Sequence, residues 1–472
     1  MNGLSRFGNY KTAFTVIALL GVGLRLLLWW VNPAGNAFDN HFEPIYWIME
    51  KGSIPPKYAL WESYQPPVFY VVSALIGKAA LGIGLPHSSL PKMLQFIPCL
   101  YGMLTLGVIY LILKGLPLSD MARLFAFAAV CFLPRHIYTC VMHSNDTLSN
   151  LLVALTAYMM LEAYRRGFGY RYAAMSGLCS VLAVFTKYTS LVVFPMALGI
   201  IAPMLLRKTT VPAKRRVSAV LLMLVLPLMF FSAYLYANSV DYNTPLPLND
   251  DSILARGGAN PQTVTKANFT DFRLCEAIRM PILYPGKMDS FWTLVYSGMW
   301  FDVEPKFLFL IDGNIDFWGD YYDWLRGERC YPPAIAMTRA ESLTGSALIA
   351  MGLVPLMLVS IGFFRMFRAG NMFRCEAPGG ASAGMQIFPL LLVFNTTGVV
   401  FLTMRVPVYS SMKALYFMNS LPAFSVSLGL GFMLFEKHGA MRMVLTALLI
   451  LLSGLVTLHI LHIARFSLMR SG

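Results

Sequence analysis

The sequence predicts an all-α polytopic membrane protein, and three observations lead to this fold class. Of the 472 residues, 57% are hydrophobic and only 13% are charged, whereas soluble domains carry about 25% charged residues. The mean hydropathy is +0.61. The apolar residues also occur in runs of about 15 to 24, and a helix of roughly 20 apolar residues crosses the hydrocarbon core of a bilayer. Soluble, fibrous and disordered classes are therefore excluded, and the loops must carry the chemistry.

The basic residues indicate membrane topology and not nucleic-acid binding. The net charge is +14, and Lys and Arg cluster in short segments between apolar runs, as at 165–171, 207–216 and 365–374. Short basic loops are typical of the cytoplasmic side of a membrane protein, whereas nucleic acid is bound by a continuous basic face. We therefore expect no nucleic-acid partner.

About eleven transmembrane helices are predicted from the apolar runs. The first run, Thr12–Val31, has no clear small-x-small cleavage site, so we interpret it as a retained helix and not as a signal peptide. Placing all the basic loops on one side puts the N-terminus in the cytoplasm and the C-terminus outside. The eleven segments are 12–31, 93–113, 121–137, 148–163, 173–187, 190–206, 217–236, 343–364, 387–404, 414–435 and 441–463.

The apolar stretch Val68–Leu85 is expected to be an interfacial or re-entrant helix of the first external loop. It contains Lys78 and several glycines. A full crossing here would move the basic residues Lys114 and Arg165 to the outside, against the charge rule. The sequence alone leaves open whether the stretch crosses.

The chain divides into three predicted parts. Residues 1–237 form a transmembrane module with the first external loop at 32–92, residues 238–340 form one long external loop, and residues 341–472 form the C-terminal transmembrane helices. Long loops in a compact protein are usually functional. In the long loop, Cys275 and Cys330 could pair if the loop is outside the cytoplasm.

Two acidic residues are candidates for catalysis. Asp39 follows the first helix closely, and a carboxylate at the interface gains basicity from partial desolvation, which suits a general base. Alternatively, Asp39 caps the short predicted helix Phe42–Lys51. Asp146 precedes a helix predicted from Leu148, where it could cap the helix or face Asp39 across a cavity.

Histidines near these acids raise the question of a metal. His41, His143 and the two acids could hold a divalent ion, although their spacing matches no diagnostic metal motif. The cofactor prediction is therefore a possible divalent metal ion and nothing further.

Cations near the external membrane face could bind a lipid phosphate. Lys187 lies between two apolar helices, where an ammonium is costly unless it meets water or an anion. Arg405 and Lys413 bracket a short external turn, and Arg25 lies in the outer part of the first helix. Together the four could bind phosphate oxygens through charge-assisted hydrogen bonds. Individually, each could be an interface anchor.

Five segments form an ordered set along the chain. They are Asp39 after the first helix, Gln65-Pro66-Pro67-Val68-Phe69-Tyr70, Pro134-Arg135 through Asp146-Thr147-Leu148, Thr186-Lys187-Tyr188-Thr189 with Pro195, and Lys413 through Tyr416 with Pro422. Taken in order, these segments resemble the GT-C superfamily of membrane glycosyltransferases, with the protein O-mannosyltransferase and aminoarabinose-transferase type as the nearest branch. Gln65 stands where that family often has His or Lys.

The resemblance implies an inverting transfer of a sugar from a polyprenyl-phosphate donor to an acceptor hydroxyl on the external face. Asp39 would be the base, and Asp146 would orient the acceptor or support Asp39. Lys187, Arg405 and Lys413 would hold the donor phosphate. Further residues assigned to substrate binding are His41, Glu43, Tyr64, Gln65, His143, Asn145 and Tyr416.

The acceptor could be a lipid, a glycan or a protein, and the sugar is not specified by the sequence. We expect a bacterial inner membrane, or the endoplasmic reticulum if the chain is eukaryotic. One alternative is a secondary transporter or flippase of lipid-linked substrates, which would need ionisable residues near the membrane midplane and usually an internal repeat. Another is a non-catalytic scaffold or glycan-binding relative.

Overall fold

The computed structural model describes residues 2–34, 40–206, 211–248, 266–279, 281, 290–301, 339–368, 384–405 and 411–470. Within these ranges the regular secondary structure is entirely helical, which confirms the predicted all-α class. The helices are α1 Asn2–Val31, α2 Phe42–Lys51, α3 Val68–Gly82, α4 Leu90–Gly115, α5 Asp120–Cys131, α6 Pro134–Cys140, α7 Asp146–Arg165, α8 Tyr170–Val184, α9 Val193–Leu206, α10 Ala213–Val220, α11 Leu226–Tyr242, α12 Lys266–Thr270, α13 Leu274–Arg279, α14 Phe291–Trp300, α15 Arg339–Met351, α16 Leu353–Arg368, α17 Ile387–Arg405, α18 Leu421–Glu436 and α19 Gly439–Arg470.

Eight helices in the described part of the chain are long and apolar enough to cross a membrane, which indicates an integral membrane protein. The other predicted crossings coincide with helices that are shorter or less apolar, namely α5 with α6, α7, and α8. The count of eleven, the orientation and the division into three parts stay predictions, as does the interfacial position of α3. The eight helices are Tyr10–Val31, His87–Gly115, Tyr188–Leu206, Ala213–Tyr242, Arg339–Met366, Ile387–Arg405, Ala414–Glu436 and Gly439–Arg465.

The segment 121–137, predicted as one helix, is interrupted. Helix α5 ends at Cys131, and α6 begins at Pro134 after Leu133 in an extended conformation, with φ −70° and ψ 112°. A proline has no amide hydrogen, and its ring disfavours a helical conformation in the residue before it. The new helix α6 therefore starts at the proline and leads into the segment before α7.

The N-terminal half of α7 lies in the interior of the molecule. Every residue from Asp146 to Ala154 is buried. Helix α7 packs against α4 and α8, so a polar residue in its first turn is surrounded by protein. The polar residues at the start of α7 are therefore candidates for a functional site.

Helices α16 and α18 pack with their backbones in contact. A Cβ added to Gly362 would lie 1.8 Å from the carbonyl oxygen of Ser427, and one added to Gly431 would lie 2.0 Å from that of Leu358. Small residues that allow such close approach are typical of helix contacts in membranes. This contact fixes α18 and, through it, the turn Ala414–Ser420 that precedes it.

Part of the loop predicted to be external, residues 238–340, packs beside that turn. Helix α14 contacts α6 and the 3₁₀ turn Ala414–Ser420. The contact is apolar, with Phe291 and Leu294 of α14 in one buried cluster with Phe417. Cys275, which could pair with Cys330 if the loop is outside the cytoplasm, is exposed on α13. Cys330 lies outside the described residues.

Candidate functional site

A buried ion pair joins the start of α7 to the segment after α8. Lys187 Nζ donates a hydrogen bond to Asp146 Oδ1 at 2.6 Å, and the two side chains are only 9% and 7% exposed. The second carboxylate oxygen of Asp146 accepts from Ser144 Oγ at 3.0 Å. Two candidates predicted for separate roles, an acid and a phosphate-binding cation, are therefore direct partners.

The capping alternative for Asp146 is wrong. Helix α7 begins at Asp146 itself, and its N-cap residue Asn145 makes no side-chain capping hydrogen bond. Instead, the Asn145 amide donates to the carbonyl of Thr186 at 3.2 Å. Both residues at the helix start thus bind the segment that carries Lys187, and the negative charge of Asp146 is also favoured at a helix N-terminus.

The turn Ala414–Ser420 forms a third side of the site. Lys187 Nζ lies 5.5 Å from the centroid of the Tyr416 ring, a distance at which a cation is attracted to an aromatic face. Lys413, directly before this turn, is also buried. Arg405 is exposed at the end of α17, and no described contact joins it to Lys187.

A network of short polar side chains ties the three segments together. Ser149 Oγ donates to Asn419 Oδ1 at 3.0 Å and lies 2.7 Å from Ser190 Oγ. Asn419 Nδ2 donates to Thr189 Oγ1 at 3.1 Å. Sequence reasoning did not single out Ser149, Ser190 or Asn419, because isolated small polar residues among apolar ones have no distinctive pattern. Thr189 belongs to the matched segment Thr186-Lys187-Tyr188-Thr189.

The two predicted histidines are both buried in an aromatic environment. His41 Nδ1 lies 2.9 Å from the Tyr70 hydroxyl and 3.9 Å from Glu62 Oε2. The ring of His143 stacks on Phe42 with the ring centroids 4.0 Å apart. Burial, with a smaller contribution from the Lys187 charge, lowers the pKa of His41 to about 3. Burial also lowers the pKa of His143 well below its ordinary value, so both rings are neutral near pH 7.

Glu62 is a further site residue that sequence reasoning passed over. It is buried, 2% exposed, and faces His41. The available signal was its position, since it belongs to the same segment as Tyr64 and the double proline. A buried carboxylate beside a buried histidine ring is a candidate for a functional site.

The segment with the double proline, Pro66-Pro67, lies against the end of α8 and the residues that lead from it to Lys187. The amide of Val68 donates to the carbonyl of Phe185 at 2.9 Å. Gln65 Nε2 donates to the Tyr64 hydroxyl at 2.8 Å. The predicted sugar-binding pair is thus mutually bonded and close to the lysine segment.

Three candidates lie elsewhere or outside the described part of the chain. Glu43 is exposed and accepts from the Asn40 amide at 2.6 Å. Arg25 is fully buried and donates to the carbonyls of Gly21 and Cys131 at 2.6 and 3.0 Å, so the expectation that it binds phosphate with the other cations is wrong. Asp39 lies outside the described residues, two positions before His41 in sequence.

The described side chains do not form a metal site by themselves. Among them there is no group of three or more His, Cys, Asp and Glu residues arranged to hold a metal ion. One carboxylate oxygen of Asp146 is bound by the Lys187 ammonium. A divalent ion therefore stays a prediction, and no step of the reaction below depends on one.

The comparisons with known proteins point to one fold. No protein-family model and no curated protein matches the chain. The oligosaccharyltransferase of Archaeoglobus fulgidus in complex with Zn and sulfate matches with a TM-score of 0.52 and 12% identity, over 94% of this chain and 53% of that chain. The oligosaccharyltransferase AglB of that organism, in complex with an inhibitory peptide and a dolichol-phosphate, matches with a TM-score of 0.50 and 14% identity, over 98% and 56%.

ArnT from Cupriavidus metallidurans in the apo state also matches, with 15% identity over 90% of this chain and 78% of that chain. Its TM-score of 0.35 is too low to carry an argument about the fold. The chain spans about half the length of the archaeal oligosaccharyltransferases. At these identities the similarity concerns the fold alone: the chain shares the fold of the archaeal oligosaccharyltransferases over most of its own length.

Proposed function

We propose that this protein is an inverting glycosyltransferase that moves a sugar from a polyprenyl-phosphate donor to an acceptor hydroxyl on the external face of the membrane. The observation that carries the proposal is the buried pair of Asp146 and Lys187, with the Tyr416 ring beside the ammonium. Removing two charges from water is costly. The pair is also positioned by three separate segments, which is typical of a site and not of a surface anchor.

Lys187 suits the donor phosphate. An ammonium has three N–H donors, and one of them is directed at Asp146 Oδ1. The remaining donors can bind phosphate oxygens through charge-assisted bonds, and the positive charge stabilises the phosphate as it leaves. We assign Lys413, buried nearby, and Arg405 to the same phosphate as additional cations.

Asp146 is assigned a positioning role, and Asp39 the role of base. Both oxygens of Asp146 are engaged, by Lys187 and by Ser144, so this carboxylate holds the ammonium in place. Asp39 precedes the buried His41 by two residues. In the proposed reaction, Asp39 takes the proton of the acceptor hydroxyl. The acceptor oxygen attacks the anomeric carbon of the sugar while the bond from that carbon to the phosphate oxygen breaks, and the polyprenyl phosphate leaves.

The neutral surroundings suit the sugar. Because His41 and His143 stay neutral, they offer hydrogen bonds and ring faces without adding charge beside Lys187. Tyr64 and Gln65 are proposed to shape the sugar pocket. We place the acceptor, whether lipid, glycan or protein, on the side of the long external loop, whose helix α14 contacts α6 and the Tyr416 turn.

The test is consumption and transfer of labelled polyprenyl-phosphate sugars by the purified full-length protein. Asp39→Asn should abolish transfer while donor binding is retained, and Lys187→Ala should weaken donor binding. Matched controls are Asp120→Asn and Lys114→Ala, since Asp120 pairs with Arg123 at the other end of the helices and Lys114 is exposed. Both controls should behave as wild type.

The contrary result is equally clear. If a broad donor panel neither binds nor turns over, the transferase proposal fails, and transport of lipid-linked substrates is tested next. If donors are consumed but Asp39→Asn remains active, the reaction class stands and the base is another residue, with Glu62 the first to replace.

A further inference from the structure

Both ends of the first external loop are bound by a lysine ammonium that contacts backbone carbonyls. We call Trp29–Pro33 the loop entry, where the chain leaves α1, and Tyr64–Val68 the loop exit, where it enters α3. Asp39 lies between them. Neither lysine was a site candidate on sequence grounds, because each stands outside the motif segments.

Lys92 binds the loop entry. It is the third residue of α4 and is half-buried. Its ammonium donates to the carbonyls of Trp29 and Asn32 and to Gln95 Oε1 at 3.1 Å, and it lies 5.2 Å from the Trp29 ring centroid. The last carbonyls of a helix have no partner within the helix, and a cation there is favoured by the helix dipole.

Two amides next to Lys92 complete the entry. Gln95 Nε2 donates to the carbonyl of Pro33 at 3.1 Å. Asn32 Nδ2 donates to the carbonyl of Val141 at 2.7 Å, and Val141 lies in the segment that leads to Asp146. The direction in which the chain leaves α1 towards Asp39 is thus set by contacts to α4 and to the segment before α7.

Lys57 binds the loop exit. Its ammonium donates to the carbonyls of Tyr64 and Gln65 at 3.0 and 2.9 Å and to the Tyr234 hydroxyl at 2.9 Å. The Tyr234 hydroxyl lies 3.4 Å from that of Tyr188, the residue after Lys187. One ammonium therefore ties the predicted sugar-binding residues to α11 and, through the tyrosine pair, to the lysine segment.

Neither ammonium has a carboxylate partner among the residues that the structure describes. A partly buried cation whose hydrogen-bond partners are all uncharged is costly compared with a neutral side chain. Both nevertheless bind pairs of carbonyls at the two points where the loop departs from the helices. This arrangement is expected if the position of the loop, and of the site residues that it carries, depends on the direction of the chain at these two points.

We propose that Lys92 and Lys57 are positioning residues of the active site: Lys92 orients the loop entry, from which the chain continues in sequence to the proposed base Asp39, and Lys57 orients the loop exit that carries Tyr64 and Gln65. The inference rests on the proposed function. It goes further by assigning the two ends of one loop to two different kinetic steps. A displaced base lowers turnover, whereas a displaced sugar pocket weakens donor binding.

The test uses the purified full-length protein and the variants Lys92→Met, Lys57→Met and Lys51→Met. Lys51 ends α2 in the same loop and is exposed, so it is the matched control. Amide hydrogen exchange should rise at the entry alone in Lys92→Met and at the exit alone in Lys57→Met. Lys92→Met should lower kcat by about tenfold or more with donor Kd changed by less than about threefold. Lys57→Met should raise donor Kd by about tenfold.

The hydrogen-exchange and the kinetic measurements distinguish failure of the proposed function from failure of this inference. If wild type turns over no donor, the proposed function fails, and local exchange at the two ends still decides whether the lysines hold them. If exchange at both ends and turnover match Lys51→Met, the inference is overturned. Should Lys92→Met not fold, Lys92→Gln replaces it, and Lys92→Arg and Lys57→Arg should restore protection to within about twofold of wild type, which loss of packing alone would not require.

Discussion

Lys187 Nζ lies 2.6 Å from Asp146 Oδ1, and both side chains are almost completely enclosed by protein. Each charge is therefore the principal counter-charge of the other. Replacing a buried pair by neutral groups can cost little, whereas removing one partner leaves an uncompensated charge. This asymmetry separates the structural role of the pair from its chemical role.

The first prediction follows from that asymmetry. Lys187→Met should destabilise the folded protein by about 3–5 kcal/mol, because Asp146 is left buried and charged. The double variant Asp146→Asn/Lys187→Met should regain most of this loss. The free energies of unfolding in detergent, arranged as a double-mutant cycle, measure the difference.

The double variant should nevertheless bind donor more weakly than wild type, since the Lys187 ammonium is absent. A folded, stable double variant that binds donor as wild type does would show that the pair is only structural.

The second prediction concerns acid. His41 has a pKa of about 3 in the folded state, compared with 6.5 when unfolded. Below pH 6.5 the unfolded chain therefore binds a proton that the folded protein does not, and stability falls as the pH falls from 6.5 towards 3. The pKa of His143 is shifted in the same direction. Each histidine contributes a slope of at most about 1.4 kcal/mol per pH unit.

Thermal unfolding midpoints at about pH 7.5 and about pH 5 check this slope. The difference between the two midpoints should shrink in His41→Gln and shrink further when His143→Gln is added. His87→Gln is the matched control, because His87 is exposed. An unchanged acid sensitivity in the double variant would contradict the burial of the two rings.

The third prediction concerns the contact between α16 and α18. Gly362→Ala places a methyl group 1.8 Å from the Ser427 carbonyl oxygen, where only backbone movement can relieve the clash. We expect a loss of at least about 1–3 kcal/mol. The control is Gly398→Ala in α17, where nothing lies within 4 Å of the added Cβ.

Both substitutions gain the same helix propensity, up to about 1 kcal/mol. The difference between their unfolding midpoints in detergent therefore isolates the helix contact. Equal midpoints would mean that the two backbones are not in contact.

Much of the architecture was predictable, because the thickness of the bilayer sets the length of the apolar run that each transmembrane helix needs. The short helix Phe42–Lys51 was predicted with the bounds that the structure shows. The interruption before Pro134 was missed, because the apolar run continues across it. Hydropathy does not depend on whether a residue has a backbone N–H group, which proline lacks. Pro134 itself indicated the interruption, since proline disfavours a helical conformation in the residue before it.

The site was predictable as a set of segments but not as a set of partners. Asp146, Lys187 and Tyr416 were named individually, yet their contact depends on where three helix ends meet, which charge and periodicity do not specify. Arg25 shows the opposite error. Its position near the membrane face suggested phosphate, but its guanidinium is used by backbone carbonyls inside the bundle. Residue type tells which groups need partners, and packing decides which partners they find.

The hydrogen bond from Ser149 to Asn419 spans 270 residues of sequence, and this separation has a consequence for biogenesis. A chain is synthesised and inserted from its N-terminus. The segments that carry Asp146 and Lys187 therefore enter the membrane long before the turn that carries Tyr416 leaves the ribosome. Until that moment the nascent protein holds both partners of the ion pair in its sequence but lacks the Tyr416 side of the site. A ribosome that stalls before residue 411 leaves an inserted protein that cannot assemble its site.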